Sequence, residues 1–372
     1  MTELATRFEP DWVSPPGDTI AELLEERGWT QEELAQRIDY SSKHVSQLIN
    51  GKVPLTDDAA VRLNSVLGVS VSFWLTREAQ YRERLARQEA KARFAAWQDW
   101  LERIPVRQLM DLRKIDKCRI DARSKPAIVE QCLAFFGVAS PEGWAARYGG
   151  LQMHFRRSRE EQSDLGAISA WLRMGEQAAE KRIGSRYDEK KFKETLHEMR
   201  ALSMLSPDNF GPRLQSLFMA SGVVCILVPA ITGSHVSGVA RWLDATRPLI
   251  QLSLYGKTND KFWFTLFHEA AHILLHSQGK KSKESVYLDD PNHIASSTHQ
   301  EREANAWARD WLIPKVAAAE LALLKSKPAV RDFSRRVGIH PGIVVGRLQH
   351  DGLIPPSWMN DLKESYRIVA SD

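Results

Sequence analysis

Two histidines and a glutamate in residues 264–276 have the spacing of reactive groups in a metal-dependent hydrolase. The segment contains His268-Glu269-Ala270-Ala271-His272. In an α-helix, residues i and i+4 lie one turn apart on the same face, so both imidazoles can reach one metal ion. The glutamate beside the first histidine can then act as a general base, which is the chemistry of zinc peptidases. The pattern predicts His268 and His272 as metal ligands and Glu269 as the catalytic base; the alternative is an accidental match.

A catalytic zinc ion usually has three protein ligands, so a third residue must come from elsewhere in the chain. A carboxylate on a following helix, predicted over residues 301–314, is favoured because no third histidine follows at the short spacing of longer histidine motifs. Helix geometry alone does not separate Glu301 from Glu303. One turn beyond the motif, His276 is expected to support the site or to pack. The downstream candidates are Asp289, Asp290, His293, His299, Glu301 and Glu303.

Three apolar runs before the histidines predict the strands that support this helix. Residues 223–228, 238–243 and 248–254 are rich in apolar and β-branched side chains and are separated by turn residues. They predict a small antiparallel sheet. A sheet edge beside a metal site can hold an extended peptide by strand addition, as in zinc peptidases.

Residues 18–75 show the punctuation of five short helices. Thr30 and Glu33 form a capping box, Ser41 or Ser42 can cap the next helix, and Thr56 opens a fourth. Two short helices joined by a tight turn predict a helix-turn-helix, whose second helix enters the major groove of DNA. The exposed positions predicted to contact DNA are Gln31, Ser42, Lys43, His44, Ser46 and Gln47.

Charge is unevenly distributed around this predicted DNA-binding domain. Residues 1–75 carry twelve acidic against six basic side chains, whereas residues 76–125 carry fourteen basic against eight acidic ones. The basic stretch can supply phosphate contacts or form a solvated face. The alternative is that this helix-turn-helix serves only dimerisation or contact with a partner and does not bind DNA.

The whole chain is predicted to be mainly α-helical with the small sheet, an α+β protein of several domains. Its 372 residues are divided into a DNA-binding domain over 1–75, a helical connecting region over 76–215 and a metal-binding domain over 216–372. The three cysteines are far apart, which excludes a disulfide framework and a cysteine-based zinc site. No run of apolar residues is long enough to span a membrane, and a cytoplasmic location is expected.

The first fifth of the chain resembles the Xre/Cro family of regulators and, more closely, the HigA-type antitoxins. The matching segments are 16–17, 23–28, 30–35, 45–52 and 73–75. The resemblance implies a five-helix fold like that of phage repressors, operator DNA as a ligand, and a homodimer.

Residues 220–350 resemble the ImmA/IrrE family of metallopeptidases. The resemblance depends on the histidine motif, on Glu-x-Glu-Ala-Asn-x-Trp-Ala at 301–308 and on Leu-Ile-Pro at 312–314. It implies a zincin-like domain with one zinc ion per chain and points to Glu303 as the third ligand. Two short helices predicted over 329–354 are expected to cap this domain, with a second helix-turn-helix as the alternative.

Together the two resemblances imply a DNA-binding regulator with a zinc-dependent endopeptidase domain. Its substrate would be a repressor-type protein, cleaved in trans or within the chain itself, in a stress, phage or toxin-antitoxin response. The alternative is a HigA-type antitoxin, paired with a cognate toxin, whose metal-binding domain senses a signal without proteolysis.

Overall fold

The computed structural model describes residues 14–155, 164–182, 184–254, 256–276, 287–288 and 299–367. The described residues fall into two compact units, one within Met1–Gln98 and Ala122–Ala127 and the other within Asp99–Asp121 and Ile128–Asp372. None of the helices in these ranges is both long and apolar enough to cross a membrane.

The first unit contains the five helices that the sequence predicts. The fifth helix is much longer than residues 70–75, because it continues through a segment without glycine or proline that is rich in arginine, glutamate and alanine. The predicted domain boundary at residue 75 therefore lies inside a helix, and as a functional division it stays a prediction. The helices are α1 (Pro16–Arg27), α2 (Gln31–Arg37), α3 (Ser42–Ile49), α4 (Asp57–Leu67) and α5 (Val71–Ala96).

Local side-chain hydrogen bonds fix where α2 and α3 begin. The Thr30 hydroxyl accepts a hydrogen bond from the Glu33 amide at 3.1 Å, which is one half of the predicted capping box, while the Glu33 carboxylate accepts from Arg37 at 2.9 Å. At the next helix the cap is Ser41 and not Ser42, since the Ser41 hydroxyl accepts from the His44 amide at 3.2 Å. These caps satisfy backbone donors that the first turn of a helix leaves without partners. They fix the turn between the two helices at the position that the sequence predicts.

The helices of the first unit enclose a small apolar core. Its residues include Ile20, Leu34, Val45, Leu63 and Trp74, all fully buried. A Cβ atom added at position 17 would lie 1.8 Å from the Ile49 carbonyl oxygen, so only glycine lets α1 pack this closely against α3.

The remaining helices and the sheet follow these five helices along the chain. The prediction of a mainly α-helical α+β fold is confirmed. The helices are α6 (Val106–Asp111), α7 (Lys125–Phe136), α8 (Pro141–Phe155), α9 (Leu165–Glu180), α10 (Glu189–Leu202), α11 (Pro207–Ser221), α12 (Asn259–Leu275), α13 (His299–Leu312), α14 (Lys315–Ala318), α15 (Lys327–Val337) and α16 (Pro341–His350). The strands are β1 (Val224–Leu227), β2 (Gly238–Asp244), β3 (Arg247–Leu252) and β4 (Tyr287–Leu288). The predicted boundary at residue 215 lies inside α11.

The sheet is mixed, so the prediction of a purely antiparallel sheet is wrong. Its strand order is β1-β3-β2-β4, with β1 parallel to β3 and the other two pairs antiparallel. Strands β2 and β3 form an antiparallel hairpin, and β3 lies between β1 and β2. Because β1 and β2 are therefore not neighbours, the direction of β1 is set by its pairing with β3. At the opposite edge, β4 pairs with β2 through Val239↔Leu288 and Ala240↔Tyr287.

Helices cover both faces of the sheet. Ile250 and Leu252 on β3 share a core cluster with the apolar residues of α12. Gln251, which lies between them, points to the other face and donates to the Trp171 carbonyl of α9 at 2.7 Å. Successive strand residues point to opposite faces, so one strand serves both layers. As a result α12 is held between the sheet and the helices α13 and α16.

The segment predicted as two short helices near residue 340 forms α15 and α16 and packs against α12. A Cβ atom added to Gly342 would lie 2.5 Å from the Asn259 side chain, and one added to Gly346 would lie 2.4 Å from Asp260. Lys363 donates to the Asp260 carboxylate at 2.6 Å. These contacts hold the first turn of α12, and the capping role of this segment stays a prediction.

Candidate functional site

Helix α12 places His268 and His272 side by side in the interior. The histidines follow one another by one turn, and their side chains are fully buried. Their Nε2 atoms are 3.0 Å apart. The helix is buried on nearly all sides, because apolar residues precede and follow the motif. Ala270 and Ala271, which lie between the histidines, are small enough to let the neighbouring elements approach.

Glu301 of α13 completes this group. Its Oε2 atom lies 3.2 Å from His268 Nε2, and its Oε1 atom lies 3.3 Å from His272 Nε2. All three residues can offer ligand atoms within 4.8 Å of one another. The carboxylate is 21% exposed, so it reaches into the interior from the margin of the site.

Glu303, which the resemblance indicated as the third ligand, lies elsewhere. Its Oε2 atom is 3.2 Å from His276 Nε2, and its side chain is 47% exposed. Residues two apart on a helix point in directions about 200° apart, so Glu301 and Glu303 cannot face the same ion. A signal was present in the sequence: Glu301 is three and seven residues before Ala304 and Ala308, which form the buried face of α13.

The protonation states of this group suit metal binding. Burial lowers the pKa of His272 to about 4, which keeps the ring neutral. Burial alone would raise the pKa of Glu301, but its contacts with His268 and His272 lower it to about 2. Neutral imidazoles and an ionised carboxylate are the forms that bind a metal.

The donor set fits a zinc ion. Two imidazole nitrogens and one carboxylate are the protein ligands of a large group of catalytic zinc sites, with bonds of about 2.0–2.2 Å. A cation with such bonds can contact ligand atoms that are separated by the distances found here. Three further residues that the sequence offered as ligands, Asp289, Asp290 and His293, lie outside the described residues.

Glu269, the predicted general base, is fully buried on α12 beside strand β2. A Cβ atom added at Gly238 would lie 2.7 Å from Glu269 Oε1 and 2.6 Å from Thr265 Cγ2. The backbone of β2 therefore passes directly against the carboxylate, at a distance that only glycine permits. The close approach of Gly238 to Glu269 is not visible in the sequence, because a glycine at the start of a strand has no distinctive local pattern.

The predicted DNA-contacting residues lie on α3, except for Gln31 at the start of α2, and they differ in exposure. Gln31, Ser42 and Lys43 are exposed, while Ser46 and Gln47 are half-buried. The inward face of α3 is Val45, Leu48 and Ile49, as predicted, and these three side chains are buried.

His44 is only partly exposed, whereas the sequence predicts an exposed side chain at this position. Its ring packs edge-on against Tyr40, with ring centroids 4.7 Å apart. The Tyr40 hydroxyl donates to the Asp58 carboxylate at 2.8 Å, and Arg62 also donates to that carboxylate at 2.8 Å. Burial and the contact with Asp58 raise the pKa of Tyr40. This network, which the sequence analysis missed, supports the first turn of α3.

Comparison with known proteins matches two family models to the chain. A helix-turn-helix model matches residues 20–74, and the M78 peptidase model, described as the IrrE N-terminal-like domain, matches residues 226–349. An uncharacterised HTH-type transcriptional regulator, YddM, of Escherichia coli (strain K12) is 37% identical over 60 residues. That match covers 16% of this chain and 64% of the relative's length. The chain therefore contains an Xre-like helix-turn-helix domain followed by an IrrE N-terminal-like domain of the M78 peptidase family.

Proposed function

We propose that this protein is a DNA-binding transcriptional regulator whose IrrE-like domain is a zinc-dependent endopeptidase acting on a repressor-type protein. The observation that carries the proposal is the convergence of His268 Nε2, His272 Nε2 and the Glu301 carboxylate on one point, at the helix that also carries the buried Glu269. Three such ligands and a buried base are the groups that metal-dependent peptide hydrolysis requires. The ligand set is thus His268, His272 and Glu301.

In this proposal, each buried side chain has a separate task. His268, His272 and Glu301 would hold a zinc ion, which would supply Lewis-acid chemistry to the scissile carbonyl and the attacking water. Glu269 accepts a proton from that water and delivers it to the leaving amine, as a general base and then a general acid. The nearby strand β2 limits the positions open to the carboxylate, because its backbone passes beside Glu269 Oε1 at Gly238.

The helix-turn-helix domain directs the protein to an operator. Exposed Gln31, Ser42 and Lys43 offer amide, hydroxyl and ammonium groups to base edges and phosphates. Binding as a homodimer would match two half-sites of an operator and would add the phosphate contacts that an acidic domain lacks. We also propose a cytoplasmic location, because a helix-turn-helix domain acts where the operator DNA is.

The test of the peptidase activity uses the full chain. Purified protein loaded with zinc is incubated with the products of the neighbouring genes, and fragments are identified by mass spectrometry. We expect a defined cleavage within a repressor-type protein or within the chain itself, and no cleavage by the Glu269→Gln variant. Cleavage that persists in this variant would show that the activity comes from a contaminant or from another site.

The burial of the site favours a second candidate function. His268 and Glu269 are fully buried, and His272 is 1% exposed. A site this closed also suits a HigA-type antitoxin in which bound metal stabilises a sensing domain without proteolysis. In that case the neighbouring gene product would be a cognate toxin, and it would form a stable complex with the chain and remain intact.

A further inference from the structure

We infer that His276 and Glu303 are positioning residues that hold the metal ligand His272 in its binding tautomer. The inference rests on the proposed metal site and adds two side chains outside the three ligands. It depends on a chain of contacts from a partly exposed carboxylate, through a buried imidazole, to the ligand ring.

The contacts are short and continuous. His272 Nδ1 lies 2.9 Å from His276 Nδ1. His276 Nε2 lies 3.2 Å from Glu303 Oε2. The His276 side chain is 4% exposed, so its ring has little freedom to turn away, while Glu303 is 47% exposed at the outer end. His299, with Nδ1 3.9 Å from the same carboxylate and 85% exposed, is at the periphery.

Each ring nitrogen of His272 and His276 is either a proton donor or an acceptor, and metal binding decides which. When His272 binds a metal through Nε2, the proton of the neutral ring is on Nδ1, which is then a donor. His276 Nδ1 must therefore accept, which places the proton of the neutral His276 ring on Nε2. That N–H points at Glu303, and an ionised carboxylate is an acceptor only. Glu303 thus fixes the tautomer of His276, and His276 fixes that of His272.

This arrangement extends a common feature of metal sites. A ligating histidine usually donates its other N–H to a carboxylate or a carbonyl, which orients the ring and makes the ligand more basic. Here an imidazole is inserted between the ligand and the carboxylate. The arrangement also gives a role to each acidic residue of the Glu-x-Glu pair on α13. Glu301 faces the metal site, and Glu303 supports the ligand His272 through His276.

The test measures zinc affinity by competition with a chelator, using the full chain. His276→Phe removes both ring nitrogens and should weaken zinc binding about 10–100-fold, the range for partners of metal ligands. His276→Asn keeps an acceptor near the position of Nδ1 and should recover much of that loss. His350→Phe is the matched control, since His350 also contacts a carboxylate, Asp351, at 3.1 Å but lies outside the site.

A second set of variants tests the order of the contacts. Glu303→Ala should weaken zinc binding in the wild-type background but have no further effect in the His276→Phe background, because it acts through that ring. Nitrogen-15 NMR of ring-labelled histidine in the zinc-free chain should show the Nε2–H tautomer for His276 and a mixed population after Glu303→Ala. A purely structural role would not change this tautomer ratio. Glu303 is partly exposed, so its removal is compatible with folding.

The outcomes separate the inference from the proposed function. If the wild type binds no zinc, or if His272→Ala binds it as well as the wild type, the metal site itself is refuted. If His272→Ala loses zinc while His276→Phe and Glu303→Ala bind it as tightly as the wild type, the positioning role is refuted. Additive effects of the two changes, with an unchanged His276 tautomer, would also overturn it.

Discussion

Replacing Gly238 by alanine should disturb the predicted catalytic base without touching any ligand. Gly238 begins β2, where its backbone passes against α12. The added Cβ atom would lie 2.6 Å from Thr265 Cγ2 and 2.7 Å from Glu269 Oε1. A methyl group at ordinary van der Waals distance needs at least 3.4 Å, so β2 and α12 must separate by roughly 1 Å or the Glu269 side chain must turn.

Two magnitudes follow from this displacement. Overpacking of a closely packed interior costs about 1–3 kcal/mol, which is the expected decrease in the free energy of unfolding. Displacing a reacting group by about 1 Å costs about 10²-fold in rate, which is the expected decrease in peptide hydrolysis. Zinc content should change little, because the three atoms nearest to the added Cβ belong to Thr265 and Glu269 and not to a proposed ligand.

The assay compares Gly238→Ala with Gly149→Ala in chemical denaturation, zinc content and cleavage of the substrate identified by mass spectrometry. Gly149 lies in α8, and beyond its chain neighbours and its own helix backbone no heavy atom is within 4 Å of the Cβ that alanine would add there. Because alanine is favoured over glycine in a helix, the control should be as stable as the wild type or more stable by about 0.5–1 kcal/mol. If the two variants unfold at the same denaturant concentration and cleave at the same rate, the close approach of β2 to Glu269 is refuted.

The remaining predictions concern ligands, base, DNA and pH. Glu301→Gln should lower zinc below one ion per chain after gel filtration, and full retention would remove Glu301 from the ligand set. Glu269→Gln should keep the zinc and lower hydrolysis by about 10²–10⁴-fold, whereas an unchanged rate would assign the base elsewhere. In gel-shift assays, Gln47→Ala should weaken operator binding by about 1–3 kcal/mol and leave binding to random DNA unchanged; equal losses on both would contradict base readout. Burial alone would raise the pKa of Glu176, but Arg241 and its other arginine partners hold it below 4.5. The unfolded chain then binds the proton more readily, so stability from this pair is present above about pH 4.5 and is lost as the pH falls. Glu176→Gln should flatten that dependence and cost about 3–5 kcal/mol at neutral pH, and an unchanged acid transition would refute the assignment.

The sequence by itself determined the features that depend on neighbouring residues. The caps at Thr30 and Thr56 involve bonds within a few residues, and the structure has both of them where the sequence predicts them. The same holds for His268 and His272, because a spacing of four residues puts both rings on one face of any helix. The α+β class and the two similar families were therefore accessible from sequence patterns.

The third member of the metal group depended on how α13 faces α12. Glu301 and Glu303 are equivalent as residue types, but Glu301 shares the face of Ala304 and Ala308, and the burial of that face brings its carboxylate to the histidines. The direction of β1 was also undetermined, since it depends on β3 lying between β1 and β2.

Only the tertiary structure brought together groups that are far apart in the chain. Arg241 meets Glu176 at 2.8 Å across 65 residues, and His276 meets Glu303 at 3.2 Å across 27 residues. Gly238 approaches Glu269 in the same way. A local pattern cannot encode such pairs, because the contact is set by the packing of whole helices and strands and not by the spacing of the two residues. The sequence thus determined which reactive side chains the chain carries, and the packing decided which of them meet.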